Sequence, residues 1–334
     1  MRMVTNVLRK MLVLLAIALL CTGCGEYLPS VSSNPWQLVP VPTDENLLDI
    51  SFVGDSAHGW LVGTKAGLFE TNDGGSSWEQ RSLDLDQPYR FTCVSFSDRE
   101  GWIVGQPSIL LHTEDEGRSW SRIPLSEKLP GAPNTILALS PNSAEMTTNV
   151  GAIYRTSDGG KTWKAMVEEA VGVIRNISRS PEGKYVAVSS RGSFYSTWEP
   201  GQTAWQPHNR NSSRRVQNMG FAADGRLWML ARGGQIQLSR FESPDDWEEP
   251  ISPEMATSWG LLDLAYRTPD EVWVSGGSGN LLRSIDGGKT WEKDRFVEDV
   301  PSNLYNIKFF GSEKGFIIGQ QGTLLKYESE SESA

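Results

Sequence analysis

Cysteine, histidine and basic charge are all scarce in this sequence, and each shortage closes off a class of function. Only Cys21, Cys24 and Cys93 occur in 334 residues, and two of them lie in the first 24 positions, so no disulfide framework can hold the fold. The three histidines, His58, His112 and His208, stand far apart without companion ligands at metal spacing, and they are read as surface turn positions rather than a metal site. Acids outnumber bases by 41 to 31, for a net charge of −10. A nucleic-acid partner needs the opposite balance. Long apolar runs are missing as well. The one candidate, Met11 to Leu20, has ten residues, too few to cross a hydrocarbon core of ~30 Å.

That short run has a basic start (Arg2, Arg9, Lys10) and is followed by Cys21-Thr22-Gly23-Cys24, the layout of an export signal. It resembles a bacterial lipoprotein signal, in which a cysteine behind small residues is acylated and becomes the new N-terminus. The resemblance makes 1–23 the signal peptide, Cys24 the lipidated residue and 24–34 a tether, with acyl chains holding the protein to a membrane. The pattern departs from the usual one at Cys21, where leucine is more common; ordinary export with soluble release is the alternative.

Glycine and tryptophan are plentiful, at 33 and 13 residues, which suits many short strands and turns. Tryptophans fall at 36, 78, 120, 163, 205, 247 and 291, a near-constant spacing that marks a repeat. Each repeat opens on an alternating strand such as Leu48-Asp49-Ile50-Ser51-Phe52. A second strand follows, for example Gly59-Trp60-Leu61-Val62-Gly63, then a third, and a tight turn leads through the Trp into a short fourth. Four antiparallel strands per repeat make a propeller blade. The last repeat has three strands, and Pro35-Trp36-Gln37-Leu38-Val39 supplies an unattached fourth. The predicted fold is therefore all-β, a seven-bladed β-propeller over 35–328, closed by its N-terminal strand and followed by an acidic tail at 329–334.

The turns carry a motif, Ser/Thr-x-Asp-x-Gly-x-Ser/Thr-Trp, at Thr71–Trp78, Thr113–Trp120, Thr156–Trp163 and Ser284–Trp291. This is the Asp-box, a structural hairpin that is nearly silent about function. Sialidases share it, yet their catalytic set is not assembled here. Ser121-Arg122-Ile123-Pro124 follows the second box rather than preceding the first, and no Tyr–Glu nucleophile pair is evident. Cys93, between apolar neighbours, reads as a core residue. The sequence predicts a protein without catalytic activity and calls for no cofactor.

Charge is unevenly spread. From Val173 to Arg240 there are nine Arg and one Lys against Glu182, Glu199 and Asp224, an island of +7 in a chain whose remainder is −17. Asp-boxes have decayed in the same stretch, at Ser196–Gly201 and Ser239–Pro244. Blade topology places Arg175, Arg191, Arg214, Arg215 and Arg232 on one rim of blades 4 and 5, the rim opposite the Asp-boxes. Arg175 and Arg179 occupy the strand positions that hold Leu48 and Phe52 in blade 1. Such a rim suits a carboxylate- or phosphate-bearing partner, because guanidinium forks bind both.

Together the seven Asp-box-type blades, the lipoprotein start, His58-Gly59-Trp60-Leu61-Val62-Gly63 and the middle-blade arginines resemble one family, the photosystem II assembly and stability factors. The resemblance covers 25–334 and implies a thylakoid membrane protein, lipid-anchored and facing the lumen. The implied partners are the newly made precursor of a photosystem II reaction-centre subunit and early assembly intermediates. It assigns partner binding to Arg175, Arg179, Arg191, Arg214, Arg215 and Arg232; contact with chlorophyll would be its implication alone. The alternative reading is an envelope lipoprotein whose propeller binds carbohydrate or anionic lipid.

Overall fold

The computed structural model describes residues 28–167, 172–210, 212–241, 243–253 and 260–328. Cys24 and the acidic tail lie outside the described residues. Seven antiparallel sheets follow one another along the chain. After β1 (Trp36–Leu38), blade 1 comprises β2 (Leu47–Phe52), β3 (Gly59–Gly63), β4 (Leu68–Thr71) and β5 (Glu79–Gln80). Blade 2 holds β6 (Arg90–Ser97), β7 (Glu100–Gln106), β8 (Ile109–Thr113) and β9 (Ser121–Arg122). In blade 3 come β10 (Pro133–Ser140), β11 (Ser143–Thr148), β12 (Ile153–Thr156) and β13 (Lys164–Val167). Blade 4 has β14 (Ile174–Arg179), β15 (Tyr185–Ser189), β16 (Phe194–Trp198) and β17 (Gln206–Asn209). Blade 5 has three strands, β18 (Val216–Phe221), β19 (Leu227–Ala231) and β20 (Gln235–Leu238). Blade 6 is β21 (Leu261–Tyr266), β22 (Val272–Gly276), β23 (Leu281–Ser284) and β24 (Glu292–Lys293), and blade 7 is β25 (Leu304–Phe310), β26 (Lys314–Gly319) and β27 (Leu324–Tyr327) completed by β1.

Closure is as the sequence predicts. β1 pairs with β27 in the register Trp36↔Tyr327, and Trp36 meets Tyr327 and Trp273 edge-on at 5.3 and 5.4 Å. The core lies between blades rather than inside one. Period-two alternation sends Leu61, with Ile50 and Phe69, towards Phe316 and Ile318 of blade 7. It sends Trp60 and Val62 towards Phe91, Val94 and Ile103 of blade 2. A second strand buried on both sides favours a continuous apolar run, which explains Gly-Trp-Leu-Val-Gly in β3.

Blade 5 departs from the four-stranded pattern. Its outer strand survives only as bridges, Ile236↔Ile251 and Ser239↔Trp247. Pro244 and Pro250 cannot donate to a ladder, and the segment between them cannot run as a regular strand. Two of the histidines also differ from expectation. His112 is buried in β8, stacked on Trp102 with ring centroids 3.9 Å apart and hydrogen-bonded to Glu100 at 2.8 Å. His208 is buried in β17 between Thr197 and Asp245, and His58 is held by Glu70. His112 and His208 are blade residues, turned inwards by the alternation of β8 and β17, whereas His58 keeps the predicted turn position just before β3.

In each intact Asp-box the carboxylate is the hub. Asp73 Oδ1 accepts the N–H groups of Ser76 and Ser77 at 2.9 Å, and Oδ2 accepts the Ser77 hydroxyl at 2.6 Å. The hydroxyl four residues on is the main reason why Asp73, Asp115, Asp158 and Asp286 are each held at about 2. The box also grips the preceding blade: Trp60 Nε1 donates to Glu116 O at 2.9 Å. Gly117 (φ +90) leaves room for that indole, where a Cβ would lie 2.5 Å from its ring.

The first strands line the central channel and are stitched together there. Every one carries a register shift one or two residues from its start, so that Leu48, Thr92, Asn134, Arg175, Gln217, Leu262 and Tyr305 occupy equivalent bulge positions. Side chains then cross the seams. Asp49 accepts from Val94 N–H at 3.0 Å, Ser95 from Ala138 N–H at 3.0 Å, and Ser178 donates to Met219 O at 2.8 Å. Cys93 faces this channel half-buried and donates to Ile136 O at 3.3 Å. Asp263 takes Asn218 Nδ2 at 2.9 Å and Ile307 N–H at 2.8 Å, and Lys308 closes the circuit on Asp49 at 3.0 Å. Between blades 3 and 4 no such bond joins the first strands among the described residues.

Asp263 and the Asp-boxes act in opposite pH windows. Burial raises Asp263 to about 7. An unfolded Asp ionises near 3.8, so the unfolded chain loses this proton first and stability declines as pH rises from about 4 to about 7. The Asp-box contribution is complete above pH 4 and is lost on acidification towards pH 2. Urea midpoints measured from pH 5 to 7 are expected to fall by the equivalent of up to ~1 kcal/mol per pH unit. Asp263→Asn removes that slope whatever its absolute stability; an unchanged slope would assign it to other groups.

Candidate functional site

The bulge in β14 turns Arg175 out of the channel wall onto the rim opposite the Asp-boxes. Its guanidinium donates to Gln217 Oε1 of blade 5, and its Nε and Nη2 reach Ser190 O at 3.3 and 3.2 Å. Arg191 occupies the β15–β16 turn, and the next residue, Gly192, accepts Val216 N–H at 2.9 Å. Arg191 is thereby set beside Arg215. Arg232, in the β19–β20 turn, donates its backbone N–H to Arg215 O at 2.9 Å. Arg214 Nη1 lies 2.7 Å from where a Cβ on Gly233 would stand, so it covers the same turn. These hydrogen bonds make one rim from two blades and bring together Arg175, Arg191, Arg214, Arg215 and Arg232.

All five arginines are exposed, and none meets a carboxylate among the described residues. Guanidinium groups left in water beside one another repel at short range, and an anionic ligand relieves that repulsion while taking forked hydrogen bonds. Two further residues belong to the rim without having been legible as such. Gln217, at the bulge position of β18, orients Arg175. Val173, 60% exposed, sits beside Arg175 with its carbonyl bonded to Ser190 N–H at 2.9 Å, and adds an apolar contact to the charged surface. Arg210 stands at the margin, half-buried, with its pKa drawn down by that burial, and donates to Arg214 O.

Arg179 does not join them. The strand position is as predicted, equivalent to Phe52, but it lies at the other end of β14. There Nε donates to Glu145 Oε2 of blade 3 at 2.8 Å and Nη1 to Ser180 O at 3.0 Å, while the guanidinium rests 5.8 Å from the Tyr185 ring. Tyr185 OH donates to the same Glu145 oxygen at 3.0 Å, and burial pushes its phenol up. This network occupies Arg179 structurally. Arg226 is likewise on the Asp-box side, paired with Asp224 at 2.7 Å and Glu248 at 3.2 Å. No group of three or more His, Cys, Asp or Glu side chains is arranged to hold a metal among the described residues.

Residues 28–328 match the model of the family described as photosynthesis system II assembly factor YCF48. The chain belongs to this family. The photosystem II assembly lipoprotein Ycf48 of Trichormus variabilis is 64% identical over 323 residues, covering 96% of this chain and 95% of the relative. The corresponding lipoprotein of Synechocystis is 58% identical over 328 residues, covering 98% and 96%. A solved Ycf48 structure, described as bound to a D1 peptide, superposes with a TM-score of 0.89 at 59% identity, over 91% of this chain and 98% of that one. Ycf48 from Cyanidioschyzon merolae gives 0.84 at 42% identity, over 89% and 99%. As in those relatives, the scaffold is a seven-bladed ring, and the family's members are photosystem II assembly factors.

Proposed function

We propose that this chain binds the newly made precursor of a photosystem II reaction-centre core subunit during early assembly and repair, without catalysing a reaction. Binding runs through the rim formed by Arg175, Arg191, Arg214, Arg215 and Arg232. Acylation of Cys24 holds the protein on the lumenal side of the thylakoid membrane, a reading supported by relatives named as lipoproteins. One observation carries the site: five exposed arginines without carboxylate partners are fixed together across the blade 4–5 seam. The D1 peptide named for a 59%-identical structure gives the class of ligand, a peptide.

The test is capture of reaction-centre precursors from solubilised cyanobacterial membranes by the tagged chain. Changing Arg175, Arg214 and Arg215 to Glu is expected to reduce capture by at least ~100-fold, since three exposed charge reversals replace attraction by repulsion. Far-UV and near-UV spectra should remain unchanged, because none of the three joins a buried network. Equal capture by the folded variant would overturn the rim as the site and leave the partner standing.

A further inference from the structure

Exposed apolar side chains are concentrated on one side of the ring. Of seven large ones in the described surface, four lie on blades 5 and 6: Phe241, Ile251, Ile285 and Phe296. Phe241, 84% exposed, tips the turn below β20 with a positive φ of 54°. Ile285, 59% exposed, projects from the Asp-box of blade 6. Phe296, 62% exposed, follows β24, and Ile251 lies on the residual outer strand of blade 5. Scattered apolar residues need no explanation; a cluster on one edge does.

The N-terminal segment enters the fold at this same edge. Leu28 packs with Leu238, Tyr266 and Trp291, at the seam of blades 5 and 6. Ser30 pairs with Lys293 in a parallel bridge, so the segment runs as an extra outer strand beside β24. Arg295 fixes it from the other side, reaching Leu28 O at 3.2 Å and Ser30 Oγ at 2.9 Å. Cys24 is four residues before Leu28. Even fully extended, four residues span only ~14 Å.

We infer that the outer edge of blades 5 and 6 docks on the membrane surface, with Phe241, Ile251, Ile285 and Phe296 seated at the boundary between headgroups and acyl chains. The inference rests on the reading of Cys24 as the acylated residue. A leash of this length keeps the Leu28 edge of the ring within reach of the bilayer, and β24, against which that attachment runs, lies in the chain between exposed Ile285 and Phe296. Charge near the patch is mixed: Arg240 and Lys289 stand beside Glu248 and Glu249. Apolar insertion, not electrostatic attraction, therefore holds the edge down, and salt leaves it in place. Docking by this edge keeps the arginine rim of the adjoining blades 4 and 5 near the bilayer and facing sideways, where a membrane-embedded partner presents its lumenal segments.

The experiment uses the full lipidated chain reconstituted into phosphatidylcholine–phosphatidylglycerol vesicles, with Cys93→Ser as background. Single fluorophores are placed through Phe241→Cys, Phe296→Cys and, across the ring on exposed Ser121 of β9, Ser121→Cys. Sedimentation with vesicles reads the anchor, and quenching reads the face. Labels at 241 and 296 are expected to be at least ~3-fold less quenched by aqueous iodide than the label at 121, and to be quenched by nitroxide-bearing lipid, in 0.1 and 1 M salt alike. Protein that sediments while all three labels quench equally overturns the docking edge and leaves the anchor intact. Protein that stays in the supernatant overturns the anchor, and the docking with it. Protection that fades on dilution of the protein among vesicles would assign the patch to a second copy of the chain instead.

Discussion

Replacing Glu145 by alanine is expected to lower the unfolding free energy by about 3 kcal/mol while leaving the arginine rim in place. The expectation follows from a gap in the stitching of the ring. Ser51, Ser95 and Ser178 occupy equivalent channel positions and bond across to the next blade. Blade 3 has Leu137 there, which can make no such bond and is part-exposed. Thr135, one position earlier on the channel face, turns back to Thr147 of its own blade. The seam is held instead by Glu145 on β11, which receives Arg179 and Tyr185 from blade 4. The backbone bond from Ile174 N–H to Asn149 O at 3.0 Å assists. Removing the carboxylate strands a mostly buried guanidinium and a buried phenol together. The lower end of the range for broken buried pairs applies because Arg179 keeps 18% of its side-chain surface. Urea denaturation measures the loss, and a double-mutant cycle with Arg179→Met assigns it to the pair. A change below ~0.5 kcal/mol would show that apolar packing alone closes this seam.

Fold and ring count were legible because the repeat tryptophans reach back to the preceding blade. Trp120 meets Trp60 of the preceding blade and Trp163 meets Trp102, both edge-on at 5.9–6.0 Å, so a period in the sequence maps directly onto a rotation of the ring. What failed were inferences from residue type alone. Histidine suggested turns, yet His112 and His208 satisfy buried polar positions inside strands, where Glu100, Thr197 and Asp245 lie 11 to 37 residues away. Blade 5 illustrates the converse. Its Trp247 keeps the period, and its bridge to Ser239 keeps the blade's outline, while the prolines beside it remove the ladder that the Trp would normally introduce.

The rim was legible for a related reason. A blade repeated seven times makes position predictable, and the order of strands and turns alone sets Arg175 at the rim where the first strand begins. Arg179 shows the limit. Its strand position was correctly aligned, but its role depends on Glu145, which is 34 residues earlier and on another blade. Charge is visible in a sequence, whereas pairing across a seam is not. Val173 and Gln217 carry no charge and so give no signal in the sequence, although both shape the surface that the arginines present.

Gly192→Ala is expected to abolish partner capture while every arginine remains. Gly192 adopts φ +66, and a Cβ there would stand 2.2 Å from Val216 O and 3.0 Å from Val216 N. Those atoms are backbone, so no side chain can swing aside to make room. The same glycine accepts Val216 N–H and donates its own N–H to Ser189 O at 2.8 Å, which is how the Arg191 turn is fastened to the strand that follows Arg215. A methyl group must push the turn away from blade 5 and separate Arg191 from Arg215 and Arg232. Strain at positive φ and loss of the fastening bond together are expected to cost about 2–4 kcal/mol. Gly201→Ala is the matched control: φ there is +97, and nothing lies within 4 Å of the added carbon. It should cost only ~1 kcal/mol and retain capture. Capture assays and urea midpoints on both variants separate the two effects. If Gly192→Ala is destabilised but captures precursors as well as the parent, binding does not depend on the geometry that joins the two blades, and the local positive charge of the rim alone recruits the partner.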